Sequence, residues 1–418
     1  MNNPKIVVVG SGFAGLESAF YLRQRLGKRV DITVVAENDY FLFKPNTIYI
    51  PFGKPASDFY HPIAESFEKR HITFKHARAT GVDPKAKRLM TSAGDVPYDY
   101  LLLATGSTMR PEEIPGLKEH AVTIWTPTEM EKVGEAFKTV ITNAKSGKPQ
   151  KVLYLVPPKN KCSGPLYEMV FMLDSHLRKL HLRDLVDISY ASFEHTFIQA
   201  FGARIHQHVT EEFGKRGITG YLEWSVEKIE PGKAVFNDGQ VLPFDVLVSF
   251  PPYAAAMKWD ALPSDDRGFV KTDAGTRQVE GMPDIYAIGD AGDFPVKQAF
   301  LALLQADTAA EHVSQRVMQE DPTARFDPVS MCIMEQFNQA TFAQVPLYTT
   351  GDPDWPVKVR EDVPELYKVG SGKIWRVGKK MLGAAMPHAF HVGKPFHAGA
   401  TWKVMEAGLV VMEAAFAD

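Results

Sequence analysis

The segment Gly10-Ser11-Gly12-Phe13-Ala14-Gly15 constrains this chain more than any other. It follows the apolar run Lys5-Ile6-Val7-Val8-Val9, which reads as a strand buried on both faces, and it opens a helical stretch reaching about Leu26. Asp31 to Val35 reads as a second strand, completing a βαβ unit. In that context Gly-x-Gly-x-x-Gly has a mechanical meaning. The first glycine permits the tight turn, the second admits a pyrophosphate against the backbone, and the third lets helix and strand pack closely. The phosphate charge then meets the helix N-terminus. Glu37 stands 22 residues past Gly15, where a carboxylate can take ribose hydroxyls. A glycine turn without a ligand is the alternative for the motif taken alone.

Strand-like runs recur at Tyr100–Ala104, Val152–Val156, Val246–Phe250 and Ile285–Ile288, with helical stretches at Pro165–Leu180 and Gln298–Gln319. Strands alternating with helices imply parallel sheets. Breaks fall near Arg110–Gly116 and Asp321–Asp327, and the last block opens on the strand-like Val329–Met334. The expected class is α/β, two tandem Rossmann-like domains with a C-terminal α+β region.

Composition narrows the function. Forty-seven Lys and Arg against 50 Asp and Glu give a net charge of -3, which argues against a nucleic-acid partner. The chain's two cysteines, Cys162 and Cys332, cannot build a disulfide scaffold, a four-cysteine zinc site or an iron–sulfur ligand set, so no metal site is expected. No Cys-x-x-Cys-His occurs to attach a c-type haem. No apolar run approaches the roughly 18 to 20 residues of a spanning helix. Met1-Asn2-Asn3-Pro4-Lys5 leads straight into a strand without a signal peptide, so a cytoplasmic-side location is expected.

Two further segments point to FAD rather than NAD. Tyr98-Asp99-Tyr100-Leu101-Leu102-Leu103-Ala104-Thr105-Gly106 resembles the Ala-Thr-Gly segment of two-dinucleotide-fold flavoproteins, and Asp284-Ile285-Tyr286-Ala287-Ile288-Gly289-Asp290 resembles their second FAD motif. The resemblance covers roughly residues 5 to 320. Such flavoproteins bind NAD(P)H on a second glycine loop, which should follow Val152–Val156. Here the strand is followed by Pro157-Pro158-Lys159-Asn160-Lys161-Cys162-Ser163-Gly164, with one glycine and two prolines. Close approach of a nicotinamide pyrophosphate is not expected. Cys162 sits there instead, just before a helix N-terminus and beside Lys159 and Lys161, which favours the thiolate. A buried structural cysteine is the alternative.

Four stretches are similar to the group formed by sulfide:quinone oxidoreductase and the flavoprotein of flavocytochrome c sulfide dehydrogenase. They are Asn38–Pro45, Cys162-Ser163-Gly164-Pro165-Leu166-Tyr167-Glu168, Phe250-Pro251-Pro252 and Ser330-Met331-Cys332-Ile333. The resemblance implies a Cys162–Cys332 redox disulfide, proton handling by Glu168 and His195, and sulfide as electron donor. It implies non-covalent FAD held by Gly10, Ser11, Gly12, Phe13, Ala14, Gly15, Glu37, Pro45, Ala79, Ala104, Thr105, Gly106, Gly289, Asp290 and Lys297. It divides the chain into an FAD-binding domain (1–112 and 246–326), a second Rossmann-like domain with a degenerate NAD site (113–245) and a C-terminal region facing quinone and membrane (327–418). Trp125 departs from the group, many of whose members carry a third cysteine there. The residues after Cys332 also lack the glycine often seen there.

From Ser371 to Met405 there are six basic residues and no acidic one, interleaved with Trp375, Phe390, Phe396 and Trp402. Cations and aromatics without acids suit an anionic membrane surface. The final helix, Trp402 to about Phe416, gathers Lys403, Glu406 and Glu413 on one arc, and its apolar remainder suits membrane contact or packing on the protein. Phe337, Trp375 and Phe390 are candidates to wall a quinone. The other readings are a sulfide dehydrogenase serving a cytochrome, a type II NADH:quinone dehydrogenase, and a flavoprotein-like fold that only binds a partner. Oligomeric assembly stays open.

Overall fold

The computed structural model describes residues 3–417, so Met1 and Asn2 of the N-terminal reading lie outside the described residues. Lys5–Val9 is buried along four of its five residues and lies between two parallel neighbours, Asp31–Ala36 and Tyr100–Leu103. Its near-continuous apolar character follows from burial on both faces: Ile6 and Val8 pack against helices, and Val7 and Val9 against Val82, Leu89, Val96 and Trp259. Thr73–His76 and Met282–Ala287 extend the parallel array to either side, and Gln278–Val279 closes it as an antiparallel edge. Helix Phe13–Leu26 packs on helix Ala299–Val317 on one face of this sheet.

A second, wholly parallel sheet runs in the order Val122–Thr123, Val246–Ser249, Gln150–Val156, Val186–Ser192, Thr219–Tyr221. The sequence reading ended this domain at 245. Val246–Ser249 instead pairs with Gln150–Val156, so the chain returns to the first sheet only after residue 249. Apolar strand runs look alike in sequence, and only pairing assigns them to a sheet.

The C-terminal region is antiparallel. Val329–Glu335 pairs with Ala340–Thr349, placing Cys332 opposite Ala343, and Lys368–Gly372 joins the other edge. Helices Lys373–His391 and Ala400–Phe416 follow. Trp375 stacks on Phe342 with ring centres 4.2 Å apart, and Phe390 packs between Phe20 and Phe41. Among the described residues no helix is long and apolar enough to cross a membrane. The last helix turns Trp402 and Glu413 inward and leaves Val404, Val410 and Val411 exposed. One member of its expected polar arc is therefore buried.

Candidate active site

One cavity of about 1010 Å³ runs through the junction of the two sheets and the C-terminal region. Gly10, Ser11, Gly12, Phe13 and Ala14 line one end. Gly10 has φ +113°, and a Cβ there would collide with the Ala104 carbonyl oxygen. Gly15 does not line the cavity; a Cβ on it would strike the Gly10 carbonyl, so it serves helix–strand packing. At Gly12 a Cβ would meet nothing within 4 Å. That open space at a helix N-terminus is the cradle a pyrophosphate requires, and the residues fit a dinucleotide. Pro45, Ala79, Ala104, Thr105, Gly106, Gly289, Asp290 and Lys297 line the same cavity. Glu37 also lines it, while its carboxylate accepts from Arg78 Nε at 3.0 Å and Nη2 at 3.1 Å. Asp290 accepts from Ser107 Oγ at 2.8 Å.

Two lysines, Lys297 buried and Lys44 half-buried, line the cavity. Lys297 donates to the Gly292 carbonyl, and its ammonium lies 3.9 Å from the Phe269 ring centre. Burial lowers its pKa to about 7, against the opposing pull of Asp290. Lys44, unremarked in the sequence, lies 3.3 Å from the ring centre of Trp125 and is lowered by burial to about 8. Trp125 thus gives its face to a cation.

The loop in place of a second glycine motif is tied down at several points. Asn160 Nδ2 donates to the Phe250 carbonyl at 2.9 Å, and its Oδ1 accepts from the Cys162 amide at 2.9 Å. Tyr253 N donates to the Lys159 carbonyl at 3.0 Å and Lys297 N to the Lys161 carbonyl at 3.1 Å. These bonds hold Cys162 at the cavity wall before helix Gly164–Lys179. Strand Val329–Glu335 lies against that helix and brings Cys332 to the same wall, its Sγ 3.9 Å from a Cβ position on Gly164. The two sulfurs are not bonded to each other.

The expected thiolate character of Cys162 is not what the structure gives. Burial pushes the Cys162 thiol well above its ordinary range and Cys332 to about 12. The flanking lysines fail to offset this because Lys159 pairs with Glu113 at 3.6 Å and Lys161 is spent over the Phe269 ring.

Glu168 is buried in the cavity wall, paired with Lys379 and accepting from the Glu335 amide at 2.7 Å. Burial raises its pKa and Lys379 opposes the rise. His195 is not brought to the cavity. It bonds Glu223 at 2.9 Å, stacks on Trp355 with ring centres 5.3 Å apart, and leaves 41% of its side chain exposed. Its neighbour Glu194 lines the cavity instead, bonded to Ser192 Oγ at 3.0 Å and the Gln199 amide at 3.1 Å, with burial lifting its pKa to about 7. Phe337, Trp375 and Phe390 do not line the cavity either. Phe337 packs on Phe52 at 4.8 Å, and the other two are core residues. The apolar end of the cavity is walled by Phe300, Leu382, Met386, Phe396 and Trp402.

A glycine-loop dinucleotide sheet joined to a second parallel sheet, with two half-buried cysteines at their junction, defines a two-dinucleotide-fold protein. Residues 4–141 and 181–313 match the pyridine nucleotide-disulphide oxidoreductase family, and the chain belongs to it. Within that family it is similar to the sulfide-quinone reductase of Aquifex aeolicus, at 28% identity over 56% of this chain and 54% of that protein. The aligned part thus spans about half the length of that relative. The mitochondrial sulfide:quinone oxidoreductase of Dictyostelium discoideum is 24% identical over 72% of this chain and 68% of its own. The solved structure of the Aquifex aeolicus sulfide:quinone oxidoreductase superposes with a TM-score of 0.83 at 21% identity, covering 97% of this chain and 95% of the other, and so shares the fold.

Proposed function

We propose that the protein oxidises sulfide at Cys162 and Cys332, uses non-covalent FAD, and delivers the electrons to a membrane quinone. The single observation carrying this reading is that the chain's two cysteines, 170 residues apart in sequence, line the same cavity as the open dinucleotide cradle. The Cys162 loop also occupies the turn on which a nicotinamide dinucleotide would need close backbone approach.

Bound FAD supplies the two-electron acceptor that a dithiol lacks by itself. The residues do the rest. A hydrosulfide attacks the Cys162–Cys332 disulfide; an S–S bond forms to one cysteine and the other leaves as a thiolate. A second hydrosulfide attacks the resulting persulfide and carries its outer sulfur away, leaving both cysteines as thiols. Re-forming the Cys162–Cys332 bond releases two electrons, which bound FAD would accept, and two protons, which pass to the wall base. The buried thiols are costly to ionise, so a base at the wall assists each step; Glu194, with its pKa near 7, is suited to take the sulfide proton. Glu168 with Lys379 holds charge behind Cys332. Lys44, and Lys297 in its protonated form, set positive charge along the cavity to balance electron density arriving there.

The quinone occupies the apolar end, between Phe300, Leu382, Met386, Phe396 and Trp402. The protein works as a peripheral membrane protein on the cytoplasmic side. Exposed Val377, Met381, Val404, Val410 and Val411 lie on the two C-terminal helices beside exposed Lys373, Lys380 and Lys403, a pairing suited to lipid tails and phosphates. The domain assignment follows: FAD on the first sheet, sulfide between the sheets, quinone at the C-terminal region.

Steady-state reduction of a water-soluble ubiquinone analogue by anaerobic sulfide tests this reading. Sulfide-dependent quinone reduction is expected. Reduction of cytochrome c with none of quinone would transfer the assignment to a dehydrogenase serving a soluble acceptor.

A further inference from the structure

The buried carboxyls of Glu17 and Asp307 take no part in the chemistry above. Glu17 lies one helical turn beyond Phe13 and Ala14, and no part of it is exposed. Among the described residues no Lys or Arg pairs with it; its oxygens accept from the amides of Phe396 at 2.7 Å and Ala398 at 3.0 Å. Asp307 comes from helix Ala299–Val317, with Oδ2 2.6 Å from His397 Nδ1 and a side-chain hydrogen bond to Glu17. Burial, then the neighbouring Asp307 charge, holds the Glu17 pKa well above the carboxylate range. Burial lifts Asp307 to about 8 and lowers His397, against the opposing pull of Glu17 and Glu406. Of the other carboxyls nearby, Glu311 accepts from Tyr21 at 2.8 Å and pairs with Arg25 at 3.2 Å, and Glu406 is exposed. At neutral pH the pair of carboxyls therefore holds a proton beside a neutral imidazole.

The cluster stands directly behind the apolar end of the cavity. The His397 ring lies 5.3 Å from Phe300 and 5.2 Å from Trp402, both cavity residues, and Phe396 is its chain neighbour. His397 and Asp307 do not line the cavity, yet their side chains keep 19% and 18% exposure. One side of the cluster reaches solvent and the other abuts the quinone wall.

We propose that Glu17, Asp307 and His397 store and pass protons to the quinone being reduced. This rests on the sulfide-to-quinone reading. Quinone takes two electrons, released by sulfide through the bound cofactor, and two protons. For each proton a carboxyl O–H bond in the cluster breaks and a quinone O–H bond forms, the proton crossing the wall through a bridging water, and His397 reloads the carboxylate from solvent. A mere tether of the 392–399 loop to the first helix would need the hydrogen bonds but not the protons.

The test compares native holoprotein with Glu17→Gln and Asp307→Asn, which keep hydrogen-bonding shape. We expect FAD content and flavin bleaching by sulfide to be retained. Reoxidation of reduced enzyme by the soluble quinone analogue should slow by about a hundredfold, the scale of a lost general acid, with partial rescue by a small permeant acid. Infrared spectra of the native protein should show a protonated-carboxyl band that shifts in D2O and weakens in each variant. Native reoxidation rates in both variants, or no such band in the native protein, would overturn the proposal alone. A native protein that bleaches with sulfide but reduces no quinone would overturn the quinone reading and this proposal with it. If a variant loses FAD or fails to fold, the native band and the His397→Gln reoxidation rate decide in the same way.

Discussion

The Sγ of Cys332 lies 3.9 Å from the position a Cβ would take on Gly164, two residues past Cys162. A glycine at that helix start leaves the strand sulfur room beside the cysteine loop. The proposed chemistry needs both sulfurs at one wall, and this contact is what brings them together.

Cys162→Ala and Cys332→Ala should each abolish flavin bleaching by sulfide, leave FAD bound, and be non-additive when combined. Stopped-flow absorbance of the three variants checks this. Full activity in either single variant would show that the thiol pair is not the route.

Gly12→Ala should leave apoprotein stability nearly unchanged, because its Cβ meets nothing within 4 Å. It should weaken FAD binding by obstructing the cradle. Gly10→Ala should unfold more readily, with its Cβ driven against the Ala104 carbonyl at φ +113°. Thermal melts of apoprotein beside flavin titrations separate the two outcomes.

Lys379→Met should destabilise the fold by about 3 to 5 kcal/mol, since it leaves Glu168 buried and unpaired. Adding Glu168→Gln should restore much of that loss. Urea denaturation of the double-mutant cycle measures it, and additive losses would contradict the pairing.

Glu194 makes a pH prediction. Its folded pKa, about 7, lies above the ordinary 4.5, so the folded state holds the proton more tightly. Its burial costs nothing below pH 4.5 and its full penalty above about pH 7. Native apoprotein should therefore lose stability relative to Glu194→Gln as pH rises through that window, by roughly 2 kcal/mol after allowing for solvent reached through the cavity. A constant difference between pH 5 and pH 8 would remove Glu194 as a proton acceptor.

What the sequence revealed and what it hid divide along a physical line. The glycine loop, Ala104-Thr105-Gly106 and Gly289-Asp290 are local backbone requirements, and apart from Gly15 they line one cavity. Residues whose roles depend on distant neighbours were not legible. Lys44 acquires its significance from Trp125, Lys379 from Glu168, and Glu194 from burial that its exposed neighbour His195 lacks. The thiolate expectation failed for the same reason: nothing local to Lys159 shows that Glu113 claims it. Aromatic residues were misread as quinone walls because Trp375 and Phe390 look the same in sequence whether they face a cavity or a core.

The most direct measurement is an anaerobic titration of the purified holoprotein, with sulfide in one cuvette and NADH in another, following flavin absorbance. Sulfide should bleach the flavin stoichiometrically while NADH leaves it oxidised. Rapid bleaching by micromolar NADH, with sulfide inert, would contradict the central claim.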